Sequence, residues 1–121
     1  MTDDLDQTGD VLYKGQAYCV EQTDEFAAWL ADLRDVEGRA RILKRLRRLA
    51  DGAFGDCKSV GANVHELRMF FGPGYRMYFM KRGDVVILLL AGGDKDSQDR
   101  DIMLAKSLAS KDGNGTEDEN F

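Results

Sequence analysis

Two short runs of strict alternation, separated by Gly72-Pro73-Gly74, limit what this chain can become more than any other feature. Before the break, Leu67, Met69 and Phe71 alternate with Glu66, Arg68 and Phe70; after it, Tyr75, Met77 and Phe79 alternate with Arg76, Tyr78 and Met80. Period two across a Gly-Pro-Gly break marks an antiparallel hairpin with one face turned to a core. With those three residues as the loop, Met69 faces Met77 and Leu67 faces Phe79 on the core side. On the other side Arg68 lies opposite Tyr78, and Phe70 opposite Arg76. Cross-strand partners have Cβ atoms roughly 5 Å apart, so Arg68, Arg76 and Tyr78 are expected to form one patch. After Arg82-Gly83, residues 85–91 are apolar on both faces and read as a central strand.

The helical signals lie before and after this β region. Thr23 is a suitable N-cap, with Asp24 and Glu25 in the first turn. Phe26, Trp29, Leu30 and Leu33 follow at helical spacing. Asp35 can cap a second helix whose buried stripe is Ile42, Leu43, Leu46, Leu49 and Ala50, ending at Asp51-Gly52. Residues 17–22 alternate weakly and make a modest first strand, and residues 53–62 read as a loop. Asp96 or Ser97 opens a last helix with Ile102, Ala105 and Leu108 on its buried side. The expected order is β-α-α-β-β-β-α, a small α+β domain with helices packed on one face of a twisted, mostly antiparallel sheet. Residues 1–10 carry four Asp and no apolar periodicity, and read as a disordered acidic leader; residues 110–121 read as a disordered acidic tail. The domain is then 11–109.

Charge separates along the chain. The total is −5, but residues 37–95 hold 12 Lys/Arg against 6 Asp/Glu while the flanks hold 5 against 16. A basic middle between acidic ends suits an anionic ligand better than the total implies. The longest apolar run is seven residues, short of the roughly 20 a membrane helix needs. The acidic, polar N-terminus is unlike a secretory signal, and Cys19 and Cys57 lack CxxC spacing. These features point to the cytoplasm, with no membrane association, metal site or disulfide.

Three clusters are candidates for chemistry. In the second helix Arg41, Lys44, Arg45 and Arg48 share a face, and no acid occurs from Arg39 to Arg48. That face is either a binding surface for phosphate or an acidic partner, or a solvated stripe. The hairpin patch of Arg68, Arg76 and Tyr78 suits RNA, because arginine grips phosphate and aromatic rings stack on bases; ion pairing with Glu66 is the alternative. Gly92-Gly93-Asp94-Lys95 ends the central strand, where Lys95 can meet an anion or the segment is simply a turn. His65, the sole histidine, shares parity with the core side and is a weak candidate for a general base.

These residues resemble a known family. Phe26-x-x-Trp29-Leu30, Gly38-Arg39-Ala40-Arg41-Ile42 and Glu66-Leu67-Arg68 carry the likeness, together with Gly72-Pro73-Gly74-Tyr75-Arg76-x-Tyr78-Phe79 and Gly92-Gly93-Asp94-Lys95-x-x-Gln98. They are similar to the killer component of addiction modules, the HigB branch of the RelE/ParE toxin superfamily, over residues 17–108. The resemblance implies a RelE-like fold and a type II toxin that cleaves mRNA on the ribosome without metal or cofactor. A cognate helix-turn-helix antitoxin would silence it. It implies catalytic roles for Arg68, Arg76, Tyr78 and Lys95 and an RNA contact for Lys58, and the charged helix face of Arg41, Lys44, Arg45 and Arg48 is then expected to contact RNA or the ribosome. Other outcomes of the same resemblance are a ParE-like gyrase poison and an inactive partner of antitoxin or nucleic acid. Two features depart from the family's habit: the net charge is negative, and no histidine lies near the C-terminus.

Overall fold

A computed structural model of the chain describes residues 10–112. Its elements are β1 (Asp10–Lys14), β2 (Cys19–Gln22), α1 (Asp24–Asp32), α2 (Val36–Ala50), β3 (Cys57–Gly61), β4 (Val64–Arg68), β5 (Arg76–Arg82), β6 (Val86–Gly93), a 3-10 turn (Lys95–Ser97) and α3 (Gln98–Lys111). Six strands form one open sheet in the order β1-β2-β6-β5-β4-β3. Every pair is antiparallel except β2 and β6, which run parallel. The domain is α+β, as the pattern of elements implies.

The helix ends follow from their caps. The Thr23 hydroxyl accepts from the Phe26 N–H at 3.1 Å, and the Asp35 carboxylate accepts from the Gly38 N–H at 2.9 Å. Each bond satisfies one of the orphan donors of a first turn. α2 stops at Asp51, and Gly52 takes φ +95°, which ordinary side chains avoid.

The structure corrects the expected arrangement in three respects. First, β1 and β3 are two strands more than expected, and β3 occupies the segment read as a loop. Both are edge strands. In β3 Lys58 and Ser59 are exposed and only Cys57 and Val60 are half-buried, so its hydrophobic alternation is faint. Second, the helices do not share one face. α1 and α2 cover Leu67, Met77, Phe79, Ile87 and Leu89, whereas α3 covers Val64, Tyr78, Met80, Leu88 and Leu90 with Ala105 and Ala109. A strand that is apolar on both faces needs cover on both, and the β6 run demanded it. Third, the hairpin register is displaced by two residues. Leu67 pairs with Met77, Arg68 with Arg76 and Glu66 with Tyr78. The Met69 N–H donates to the Tyr75 carbonyl at 2.9 Å, leaving residues 70–74 as the connection. A shift of two preserves parity, so every side chain stays on its expected face.

The described elements run from Asp10 in β1 to Lys111 in α3, slightly beyond the expected domain of 11–109. The remainder of the expected leader and tail lies outside the described residues.

Candidate nucleic-acid interface

The face under α3 carries the hairpin candidates in two rows across the sheet. Lys58, Glu66, Tyr78 and Ala91 are successive cross-strand partners, as are Arg68, Arg76 and Gly93 in the next row. Arg68 and Arg76 are therefore direct neighbours, closer than the expected register would place them.

The chemistry of these rows is set by Glu66, the acid that the sequence offers as an ion-pair partner for the arginines. Glu66 is fully buried. One of its oxygens accepts from the Tyr78 hydroxyl at 3.1 Å and from the Gln98 side-chain amide at 2.7 Å. The other lies 3.5 Å from Arg76 Nη1, an ion pair without hydrogen-bond geometry. Arg76 Nε is itself buried without a protein partner. The Arg76 side chain is only 12% exposed. Its guanidinium is thus charge-balanced by Glu66 and mostly shielded from solvent. A guanidinium of this kind suits an arriving phosphate oxygen.

Tyr78 lies in the interior rather than on an open surface. Its exposure is 0%, and its ring is packed among Met80, Leu90, Ala105 and their neighbours beneath α3. Burial, then the Glu66 charge and hydrogen bond, push the phenol well above its ordinary range. It is held protonated, and the expectation of an exposed ring for stacking is corrected. α3, which the one-face arrangement placed elsewhere, is the reason.

Arg68 sits at the accessible end of its row, one-third exposed and paired with Asp56 at 2.9 Å. The hydrogen bond and charge of Asp56 raise its pKa further. Lys58 is exposed on β3, and Lys95 is exposed in the 3-10 turn after β6. The Gly92-Gly93-Asp94-Lys95 block is built largely for packing. A Cβ on Gly92 would strike the Trp29 ring, and one on Gly93 would strike the Asp101 carboxylate. Asp94 caps the turn by accepting from Asp96 N–H at 2.9 Å and Ser97 N–H at 3.2 Å. Lys95 is left on the surface beside this capped turn.

The cations of α2 belong to the opposite face of the sheet, and they divide. Arg45 is turned inward: its guanidinium donates to the carbonyls of Arg68 at 2.9 Å, Asp56 at 3.2 Å and Phe54 at 3.3 Å. Burial lowers its pKa against the pull of Asp56. It ties α2 to the loop before β3, which removes it from a free binding stripe. Arg41 pairs with Glu37 at 3.2 Å and lies 4.1 Å over the Phe71 ring. Lys44 and Arg48 remain exposed and line an open groove of about 580 Å³ with Arg41, Arg45 and Met69.

Tyr75, in the Gly-Pro-Gly-Tyr-Arg segment, has a positional function. Its hydroxyl donates to Asp35 at 2.8 Å, joining the hairpin tip to the α2 cap. Burial and this carboxylate push the Tyr75 phenol up to about 12, while the bonds from Gly38 and Tyr75 hold the Asp35 carboxyl below its usual value. His65 stacks on Phe79 at 5.3 Å on the α2 side, away from the arginine rows. Among the described residues no group of three or more His, Cys, Asp or Glu is placed to hold a metal ion, and no helix is long and apolar enough to cross a membrane.

Asp56 and Gln98 are the neighbours of the site that sequence reasoning missed, whereas the pairing of Glu66 with Arg76 is the alternative it left open for the patch. Glu66 had one signal, a lone acid among arginines on the polar face of an alternating strand. Gln98 stands in the resemblance block without a spacing rule that would link it to residue 66.

With this geometry the chain is similar to a solved structure of the E. coli toxin RelE, a double arginine-to-alanine mutant in the free state. The two share 17% identity at a TM-score of 0.60, covering 79% of this chain and 97% of that one, which places the chain in the RelE-like fold class. No family model matches the sequence. An uncharacterized protein of Haemophilus influenzae is 44% identical over 90 residues, 74% of this chain and 91% of that protein. The chain belongs to the same family as that protein.

Proposed function

We propose that this protein is the toxin of a type II toxin–antitoxin pair, of the HigB kind, and that it cleaves mRNA on the ribosome in the cytoplasm. The observation that carries the reading is the Arg68–Arg76 pair at one end of a RelE-like sheet, with Arg76 held against a buried carboxylate. The reaction is attack of a ribose 2′-OH on the adjacent phosphate, giving a cyclic phosphate and a free 5′-OH. Negative charge gathers on the phosphoryl oxygens, and preorganised guanidinium groups stabilise it most where water is excluded. Arg76 supplies that donor, and Arg68 the more exposed second one. Lys58 and Lys95 hold neighbouring phosphates, and Lys44, Arg41 and Arg48 make a separate cationic contact on the other face. Tyr78 acts through Glu66 as part of the scaffold rather than on substrate. A cognate helix-turn-helix antitoxin neutralises these cations.

Inducing the chain in cells, then mapping mRNA ends and measuring DNA supercoiling, tests the reading. New 5′-OH ends that depend on translation are expected, with plasmid supercoiling unchanged. Intact mRNA with relaxed plasmid would refute the nuclease and favour a gyrase poison.

A further inference from the structure

The hairpin tip carries a feature that packing does not explain. Phe70 is 83% exposed, the most exposed large apolar side chain and the sole aromatic among those the described residues leave in solvent. Its neighbour Phe71 behaves conventionally, packing against the core with Arg41 stacked over it at 4.1 Å. The loop that presents Phe70 is held on both sides. Arg45 binds the Arg68 carbonyl, Met69 and Tyr75 are buried and hydrogen-bonded to each other, and Tyr75 is bonded to Asp35. The Gly74 N–H closes the turn on the Phe71 carbonyl at 3.1 Å. Phe70 therefore projects from a fixed support, and its outward direction is not a consequence of a loose loop.

The Arg68 guanidinium lies 5.9 Å from the Phe70 ring centroid. Arg68 in turn pairs across the hairpin with Arg76. An exposed ring beside a cation, one pair away from a buried guanidinium, is the arrangement that recognises an unstacked nucleotide: the ring takes the base and the cation takes its phosphate.

We propose that Phe70 is a base-stacking platform for single-stranded RNA, positioning the nucleotide that flanks the scissile phosphate. The proposal rests on the ribonuclease reading and adds to it a positioning contact made by neither charge nor hydrogen bond. Because every base has a π-face, the platform tolerates any sequence and contributes registration more than selection.

Full-length wild type, Phe70→Ala and Phe70→Trp are titrated with a short fluorescent single-stranded RNA carrying 2′-O-methyl groups, so that binding is read without cleavage. Removing the ring removes the stacking surface, so Phe70→Ala should bind about tenfold more weakly, while Phe70→Trp binds at least as well as wild type. The salt dependence should be unchanged in both, because no phosphate contact is lost, whereas Arg68→Ala should flatten it. All three should melt together, since an exposed ring contributes little to the fold. Equal RNA affinity in wild type and Phe70→Ala overturns the proposal, as does absence of RNA binding by wild type. A tenfold loss on the uncleavable RNA in a protein that cleaves nothing would refute the nuclease reading alone and leave the platform standing.

Discussion

Removing Arg76 tests the buried pair and the proposed chemistry together, and the two effects have to be separated. Arg76→Ala leaves the Glu66 carboxylate, which is fully buried, without the cation that balances it. Breaking a buried pair from one side costs about 3–5 kcal/mol, because the remaining charge stays desolvated. Two donors, Tyr78 and Gln98, still satisfy one Glu66 oxygen, so the low end of that range applies. For a domain of about 100 residues the unfolding entropy is about 0.2 kcal/mol/K, and a loss of about 3 kcal/mol lowers the midpoint by about 14 °C. Thermal and urea unfolding of wild type and Arg76→Ala measure this directly. The double variant Arg76→Met with Glu66→Gln removes both charges and should recover more than half of the loss, the behaviour of a pair whose cost is desolvation. A midpoint for Arg76→Ala within about 2 °C of wild type would refute the reasoning, since Glu66 would then be solvated or balanced elsewhere. Cleavage by Arg76→Ala must be read well below its own midpoint. There the folded variant should be slower by about a hundredfold, the usual consequence of losing one charge-stabilising donor, and Arg76→Lys should restore only part of it.

Two further expectations follow from groups away from the arginine rows. Arg45→Ala should destabilise the domain by about 2 kcal/mol, since charged hydrogen bonds to three carbonyls are lost, and a change in RNA binding with no change in urea midpoint would contradict that. His65 has its pKa lowered by burial and then by Lys81, so the unfolded chain binds a proton in a window below about 6.5 that the folded chain resists. Stability should therefore fall as pH drops through that window and level off below the folded pKa; His65→Gln should flatten the slope in urea midpoints between pH 7.5 and 5.5, and an unchanged slope would assign it to other groups.

Local chemistry written in the sequence determined much of the fold. Thr23 and Asp35 cap α1 and α2 as residue type and spacing imply, because a cap is made within four residues and needs nothing distant. The alternation around Gly72-Pro73-Gly74 assigned each side chain of β4 and β5 to its face, and a register error of two residues did not disturb it. The cationic character of residues 37–95 was equally plain.

What covers each face was not written locally. Period two separates Glu66, Arg76 and Tyr78 from Leu67, Met77 and Phe79, but it does not say whether solvent or a helix lies beyond. α3 comes to rest there because β6 is apolar on both sides, and its arrival buries Tyr78, closes over Glu66 and brings Gln98 against it. The inward turn of Arg45 likewise depends on carbonyls at residues 54, 56 and 68, which only long-range pairing assembles beside α2. The same side-chain types would serve an exposed patch or a buried network. The difference is the free energy of taking charge out of water, which is decided by the elements that pack around it and not by the residues that bear it.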